Sequence, residues 1–433
     1  MSSKYPVFQS VYQPMRSQIR LIFLVFVAFI LLVDGITFAG LAGDFSVILH
    51  PLTLAGFWVV TLVFLARLAV YGRTFLSNSK PGFFSGFYVF TGFFLAFYVP
   101  KLFYIAFLIA EFALKPLIYP VLLLVAEPSP FGEFLGTGPL NTISMLAIPF
   151  SAFCMLVIFW GMLFGRFNFK VRHSEIFCPD LPTAFDGYRL VHISDLHLGS
   201  LYGHQEKLGK ALSLINNESP DLILFTGDLV NNLAEETIGW EDLLAGLQAR
   251  DGKYAILGNH DYGEYYDWPD EMAHQENMQK LIRAHEEAGF TLLLNRSQKI
   301  SRGNENIFLA GVENWGLPPF KQYGDLAKAL QDIPDTGFKI LLSHDPSHWD
   351  AEVTGRTNVH LTLSGHTHGM QFGIRTGKFR WSPIQTKYPR WVGLYQQGYQ
   401  YLYVNPGLGY IGYAGRIWIP PEITVITLKK SIS

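Results

Sequence analysis

At 433 residues, with 49 % hydrophobic and only 16 % charged side chains, the chain is too long for one ordinary domain and too apolar for a wholly soluble protein, and reads as a soluble domain joined to a membrane part. A net charge of -2 argues against a nucleic-acid partner. The two cysteines, Cys154 in an apolar run and Cys178 in the linker after it, exclude a disulfide framework and suit a reducing compartment for the soluble part.

The first apolar stretch, residues 21–42, exceeds the roughly 7 to 15 residues of a signal-peptide core, and others follow it. Spans are expected at 21–42, 52–71, 83–109 and 142–164, each near or above the roughly 20 residues that cross a bilayer as a helix, with Gly and Pro tolerated inside. Asp34, Arg67, Lys101 and Glu111 lie in or near these spans and read as interfacial or snorkelling side chains rather than functional buried charges. Residues 115–126, interrupted by Pro116 and Pro120, read as a re-entrant or interfacial segment rather than a fifth span. Lys4, Arg16 and Arg20 precede the first span, Arg73 and Lys80 follow the second, and Arg166, Lys170 and Arg172 follow the fourth. With four spans these groups share one side, whereas the loop after the first span lacks Lys and Arg and residues 127–141 are acidic or neutral. Basic loops face the cytoplasm, so both termini and the soluble domain are expected there, and a fifth span would reverse this. The expected organisation is a multi-pass transmembrane domain over 1–165, a linker and first strand over 166–187, and a soluble domain over 188–433.

From Tyr188 onward, short apolar runs at 188–193, 221–225, 254–257, 307–312, 339–342 and 360–363 read as strands. Helical spacing falls between them at 205–217, 235–249 and 271–288; Leu208, Leu212 and Ile215, for example, share one face. Such alternation predicts an α/β domain whose strands are buried between helices. Most of the runs end in polar clusters: Ser194-Asp195-Leu196-His197, Gly227-Asp228, Gly258-Asn259-His260-Asp261, Ser343-His344-Asp345 and Gly365-His366-Thr367-His368. Loops beyond the carboxyl ends of sheet strands can bring such groups to one point. Mixed imidazole and carboxylate ligands suit manganese, iron or zinc, and the set exceeds what one ion needs. Two ions roughly 3.5 to 4 Å apart would use it, and such a pair does phosphoester chemistry. An Asp-x-His pair or a Gly-Asp turn is weak evidence alone; the Gly-Asn-His-Asp and Gly-His-Thr-His clusters are more specific, because paired imidazoles are costly to bury without a partner. His192, His204, His274, His285 and His348 read as structural, and His50 and His173 flank spans.

The order and context of these clusters resemble the calcineurin-like metallophosphoesterase superfamily over about residues 188–428, including a tail in which 403–408, Gly415-Arg416 and Pro420-Pro421-Glu422-Ile423 look like the closing strands of bacterial membrane-associated members. The expected fold is thus all-α transmembrane helices followed by an α/β domain, which the resemblance implies to be a four-layer sandwich holding two divalent metal ions, manganese foremost with iron or zinc as alternatives. The resemblance also implies that Asp195, His197 and His368 hold one ion, that Asn259, His344 and His366 hold the other, and that Asp228 bridges them. His260 would contact the phosphate and protonate the leaving oxygen, with Asp261 orienting its imidazole. The segment Gly365 to Gln371 departs from the frequent family pattern at Met370, in place of a glycine.

Aromatic residues between Asp261 and His274 (Tyr262, Tyr265, Tyr266, Trp268), and the mixture of Lys378, Arg380, Lys387 and Arg390 with Trp381, Tyr388 and Trp391, suit a bilayer interface and anionic head groups. The expected enzyme hydrolyses a phosphodiester or pyrophosphate of a lipid-linked substrate at the cytoplasmic face of a bacterial inner membrane, and related UDP-2,3-diacylglucosamine pyrophosphatases suggest that substrate. Two other readings are a non-catalytic metal-binding or scaffolding module on a membrane anchor, against which the intact ligand set speaks, and a transporter or sensor, against which the sparse intramembrane polar residues speak.

Overall fold

The computed structural model describes residues 16–44, 50–76, 82–125, 142–377 and 379–431; Lys4, Lys80, residues 127–141 and Lys378, on which part of the topology and surface reading rests, lie outside the described residues. Among the described residues, four helices are long and apolar enough to cross a membrane: α1 (Arg16–Asp44), α2 (Pro51–Leu76), α3 (Phe83–Val125) and α4 (Thr142–Leu163). Residues 115–125 form no separate element but continue α3, whose backbone runs through Pro116 and Pro120.

Contacts divide the chain into two compact units, Met1–Ser79 with Phe94–Leu156, and Lys80–Phe93 with Val157–Ser433. In the first, the snorkelling reading of Asp34 and Lys101 is corrected. Asp34 is fully buried, accepts hydrogen bonds from Thr61 Oγ1 at 2.6 Å and Tyr98 Oη at 2.9 Å, and pairs with Lys101. Glu111 is also buried, whereas Arg67 is exposed. A carboxylate without water keeps its charge only with such partners, which the span pattern alone could not supply.

The second unit is built on two six-stranded sheets. The first has the order β1 (Lys170–Cys178), β14 (Glu422–Lys430), β2 (Arg189–Ile193), β3 (Leu222–Phe225), β4 (Lys253–Ala255), β5 (Phe290–Leu292). The second runs β12 (Gly393–Gln397), β13 (Gln400–Val404), β9 (Leu361–Ser364), β8 (Phe338–Leu342), β7 (Glu305–Gly311), β6 (Arg296–Arg302), and a small hairpin joins β10 (Ile374–Thr376) to β11 (Phe379–Trp381). The helices of this unit are α5 (Gln205–Asn217), α6 (Glu241–Ala245), α7 (Glu271–Glu287) and α8 (Leu326–Leu330). Alternation along each strand builds the layers. On β3, Leu222 and Leu224 join Ile340, Leu342, Leu361 and Leu363 between the sheets, while Ile223 and Phe225 pack with Leu208, Leu212 and Leu281 of the helices. Leu341 and Val404 on the far face of the second sheet pack with Leu326, Ala329 and Trp349. The result is a helix–sheet–sheet–helix sandwich, as the resemblance implied.

All six expected strands lie within the sheets. The helix expected over 235–249 is instead a 3₁₀ turn, Ala234–Thr237, and the short α6, because Gly239 between them takes φ +84° and breaks the helical path.

Within the core, His285 on α7 lies parallel to Phe225, donates nothing through Nε2, and has its pKa lowered by burial to about 4 from 6.5. A histidine held neutral in the fold contributes stability above pH 6.5 that is lost as pH falls through 4, at most about 3 kcal/mol. Replacing His285 with Leu is therefore expected to flatten the fall in melting temperature between pH 7 and 4.5. Parallel curves for the two proteins would show that His285 carries no such load.

Candidate metal centre

The loops leaving β2, β3, β4, β8 and β9 converge at one edge of the sandwich, where the backbone is contorted. Asp195, His197, Asp228, His366 and His368 all take positive φ, between 46° and 67°. For residues with side chains this costs on the order of 1 kcal/mol or more each, and such strain collects at functional sites. Two glycines make the close approach possible: a Cβ on Gly365 would lie 1.9 Å from Ser194 Oγ, and one on Gly258 would lie 2.3 Å from Asp228 Oδ1.

The side chains so placed form one buried cluster. Asp195 Oδ1 lies 3.2 Å from His368 Nε2, which is 3.1 Å from His197 Nε2. Asp228 Oδ2 stands 3.2 Å from His344 Nε2 and 3.6 Å from His197 Nε2, centrally between two groups. On the far side, Asn259 Oδ1 is 3.2 Å from His344 Nε2 and 2.9 Å from His366 Nδ1. All the residues expected as ligands are therefore brought together in one cluster, within which ligand atoms of Asp195, His197 and His368, and those of Asp195, Asp228 and His344, lie within 4.8 Å of one another.

His260 sits against His197, with ring centroids 5.0 Å apart; its backbone N–H donates to Asp228 Oδ1 at 2.9 Å. Asp261 does not orient its imidazole, which is a correction. The Asp261 carboxylate accepts from the N–H groups of Asp228, Leu229, Val230 and Gly258 and so ties two loops together. The carbonyl of Asn231, 2.8 Å from His260 Nδ1, fixes the ring instead. Asn231 is held in turn by Glu236, which accepts from the N–H groups of Gly199, Asn231, Asn232 and Leu233.

Burial would raise the carboxyl pKa values of Asp195 and Asp228, but His368 beside the first and His344 beside the second pull both well below the ordinary range. Burial would also lower His344, yet Asp228 outweighs it and pushes it up to about 10. His197, His260 and His366 are lowered by burial. Ionised carboxylates and mostly neutral imidazoles are what a cation site requires. Ring nitrogens 3.1 Å apart beside a carboxylate, with His197 Nδ1 itself unpartnered, fit divalent ions as the missing counter-charge.

Comparison with known proteins agrees. The family described as calcineurin-like phosphoesterase matches residues 188–370. An uncharacterized metallophosphoesterase of Bacillus subtilis, YkuE, is 36 % identical over 58 % of this chain and 82 % of its own length. The chain belongs to the calcineurin-like metallophosphoesterases. A transmembrane protein with metallophosphoesterase domain from Danio rerio is 32 % identical over 60 % of this chain and 58 % of its own length, and its bovine counterpart 29 % identical over 60 % and 57 %. The matched region thus spans less than two thirds of both vertebrate proteins. A closer tie to UDP-2,3-diacylglucosamine pyrophosphatases gains no support from these relatives. The chain carries a calcineurin-like metallophosphoesterase domain and, among the described residues, four helices long and apolar enough to cross a membrane.

Around the metallophosphoesterase site stand residues whose roles sequence reasoning missed. Tyr388, read as part of a membrane-facing loop, is buried with Trp391 in a small core. Its hydroxyl lies 2.9 Å from His366 Nε2 and donates to Asp345 at 3.3 Å. Because His366 turns Nδ1 toward Asn259, Tyr388 holds the opposite ring edge. Tyr265 accepts from Asn259 Nδ2 at 3.0 Å. Arg416 is fully buried and gives its guanidinium to the carbonyls of Pro406, Gly407, Gly409 and Ile419, with Nη2 3.5 Å from His368 Nδ1. Met370 takes φ +54°, a conformation that a glycine would hold without strain, and is 54 % exposed. Removing a partner that orients a ligand costs metal affinity roughly 10- to 100-fold. Tyr388→Phe is expected to weaken metal binding by that order in a titration with manganese; unchanged affinity would leave the hydroxyl a packing contact only.

Proposed function

We propose that this chain is a membrane-anchored two-metal phosphoesterase that hydrolyses a phosphodiester or pyrophosphate bond of a lipid-linked substrate at the cytoplasmic face of the cell membrane. The observation that carries the reading is the convergence of Asp195, His197, His368, Asn259, His344 and His366 about Asp228, with His260 at the rim. Two divalent ions bound there, manganese foremost, would supply an activated water and charge to neutralise a phosphoryl oxygen. Asp195, His197 and His368 would hold one ion, Asn259, His344 and His366 the other, and Asp228 would span both.

The chain's own groups would do the rest. Asn231 keeps a proton on His260 Nδ1; once the negative phosphate holds a second proton, taken up from solvent, on Nε2, the ring would bond a phosphate oxygen and pass that proton to the departing oxygen. Asp261 fixes the loops bearing Asp228 and Asn259 relative to one another, so the reacting groups are preorganised before substrate arrives. The lipid-linked part of the reading rests on the tether: β1 begins a few residues after the fourth span.

Full-length protein in detergent, assayed with manganese and after chelation, should hydrolyse a nucleotide-linked lipid faster than a cyclic nucleotide or an aryl phosphodiester. Activity confined to the soluble substrates would remove the lipid assignment. No metal-dependent activity on any of them would remove the hydrolase assignment.

A further inference from the structure

Where the chain leaves its fourth span, a second cavity stands beside the Asp and His cluster. A cavity of 410 Å³ is lined by Trp160 near the end of α4, by Lys170 and Arg172 at the start of β1, and by Arg416 and Trp418 of the closing loop. Its walls are set by backbone. The Arg416 N–H donates to the Gly161 carbonyl at 3.1 Å, the Lys170 N–H to the Pro421 carbonyl at 2.9 Å, and a Cβ on Gly165 would lie 1.9 Å from the Arg416 carbonyl oxygen.

Three independent features give this cavity its chemistry. The first is charge. The single carboxylate Glu422 answers both Arg172 at 3.0 Å and Arg375 at 2.7 Å, and among the described residues Lys170 and Arg416 have no carboxylate partner. The cavity therefore carries excess positive charge, with Lys170 exposed to receive an anion. The second is the pair of indoles, Trp160 and Trp418, left 41 % and 47 % exposed, of a kind that settles at head-group depth. The third is strain. Trp418 takes φ +59°, rare for a bulky residue, in a segment otherwise held firmly. The neighbouring Leu163 and Phe164 at the end of the span are 65 % and 62 % exposed, an apolar wall continuous along the chain with the cavity's rim.

We propose that this cavity is a binding site for an anionic phospholipid, its phosphate lying on Lys170 and Arg172 and its glycerol between Trp160 and Trp418. Basic side chains at this depth attract anionic head groups, and arginine meets a phosphate with paired donors. The lipid is a ligand distinct from anything cleaved at the metal centre. Arg416 is the wall common to both places, since it also lies against His368.

The test uses the full chain in lipid nanodiscs, reading tryptophan fluorescence as brominated phosphatidylglycerol or brominated phosphatidylcholine replaces the unbrominated neutral lipid. The Trp418→Phe protein supplies the background. The Trp418 signal should be half quenched at a roughly tenfold lower mole fraction of the anionic lipid, and the preference should shrink to about twofold in Lys170→Gln/Arg172→Gln. Because Arg172 pairs with Glu422, Lys170→Gln alone replaces the double variant if that one fails to fold. Equal quenching by the two lipids, or a preference that survives the substitutions, would overturn the site. Relief of quenching by soluble glycerol phosphate would reassign it to a free phosphate and overturn the lipid. Hydrolysis of an aryl phosphodiester by the unaltered chain in the same discs reports on the metal centre separately, so either reading can fail without the other.

Discussion

Replacing Asp228 with Asn is expected to abolish hydrolysis, lowering kcat/KM by roughly 10³-fold or more, about 4 kcal/mol of transition-state stabilisation. Asp228 is a carboxylate placed near ligands of both groups, 3.2 Å from His344 and 3.6 Å from His197. An amide of the same shape keeps an oxygen but loses the charge that, on the proposed reading, would hold two cations close together. Metal content should fall with activity. Measuring both by elemental analysis and steady-state kinetics decides the point, because a variant that keeps two ions and full activity would show that Asp228 bridges nothing.

His260→Ala should separate chemistry from metal binding. His260 makes its ring hydrogen bond to the Asn231 carbonyl, and its neighbour Asp261 keeps the loops together without it. Metal content is therefore expected to stay, while kcat falls roughly 10²- to 10⁴-fold, the usual contribution of a positioned acid. The loss should be smaller for an aryl ester whose leaving oxygen needs no proton than for an alkyl ester. Equal losses on the two esters would confine His260 to binding phosphate.

These expectations begin from residues legible in the sequence. Asp195, His197, Asn259 and the Gly-His-Thr-His run stand at strand ends in small-residue contexts, and the short apolar runs recovered the strands that bear them. What escaped were partners joined only by folding. Asn231 follows Gly227-Asp228 as one more polar residue in a turn, and nothing local says that its carbonyl will meet an imidazole 29 residues away. Tyr388 carries the composition of an interfacial loop, and only packing with Trp391 and Ile419 turns it inward. Asp261 shows the reverse error. Adjacency to His260 suggested a partner for the ring, but the two side chains diverge, and backbone N–H groups claim the carboxylate. Among the strands that no apolar run marked, β6 reads Arg296-Ser297-Gln298-Lys299-Ile300-Ser301-Arg302, with mostly polar faces suited to a sheet edge. In the membrane part, the pairing of Asp34 with Lys101 spans 67 positions and leaves no trace in hydropathy.

The placement of β14 bears on how the molecule is made. It pairs with β1 on one side and β2 on the other, so the sheet that presents Asp195 stays split until residues 422–430 have emerged from the ribosome. The apolar helices are synthesised well before then, and β1 leaves the ribosome directly behind them with its neighbour not yet translated. During that interval the nascent chain has an unpaired strand edge beside an inserted anchor, a state exposed to aggregation and to chaperones. Closure of the sheet behind Asp195 is then among the last events of biogenesis, and a translational stall shortly before β14 would leave the clustered Asp and His side chains made and no finished sheet to hold them.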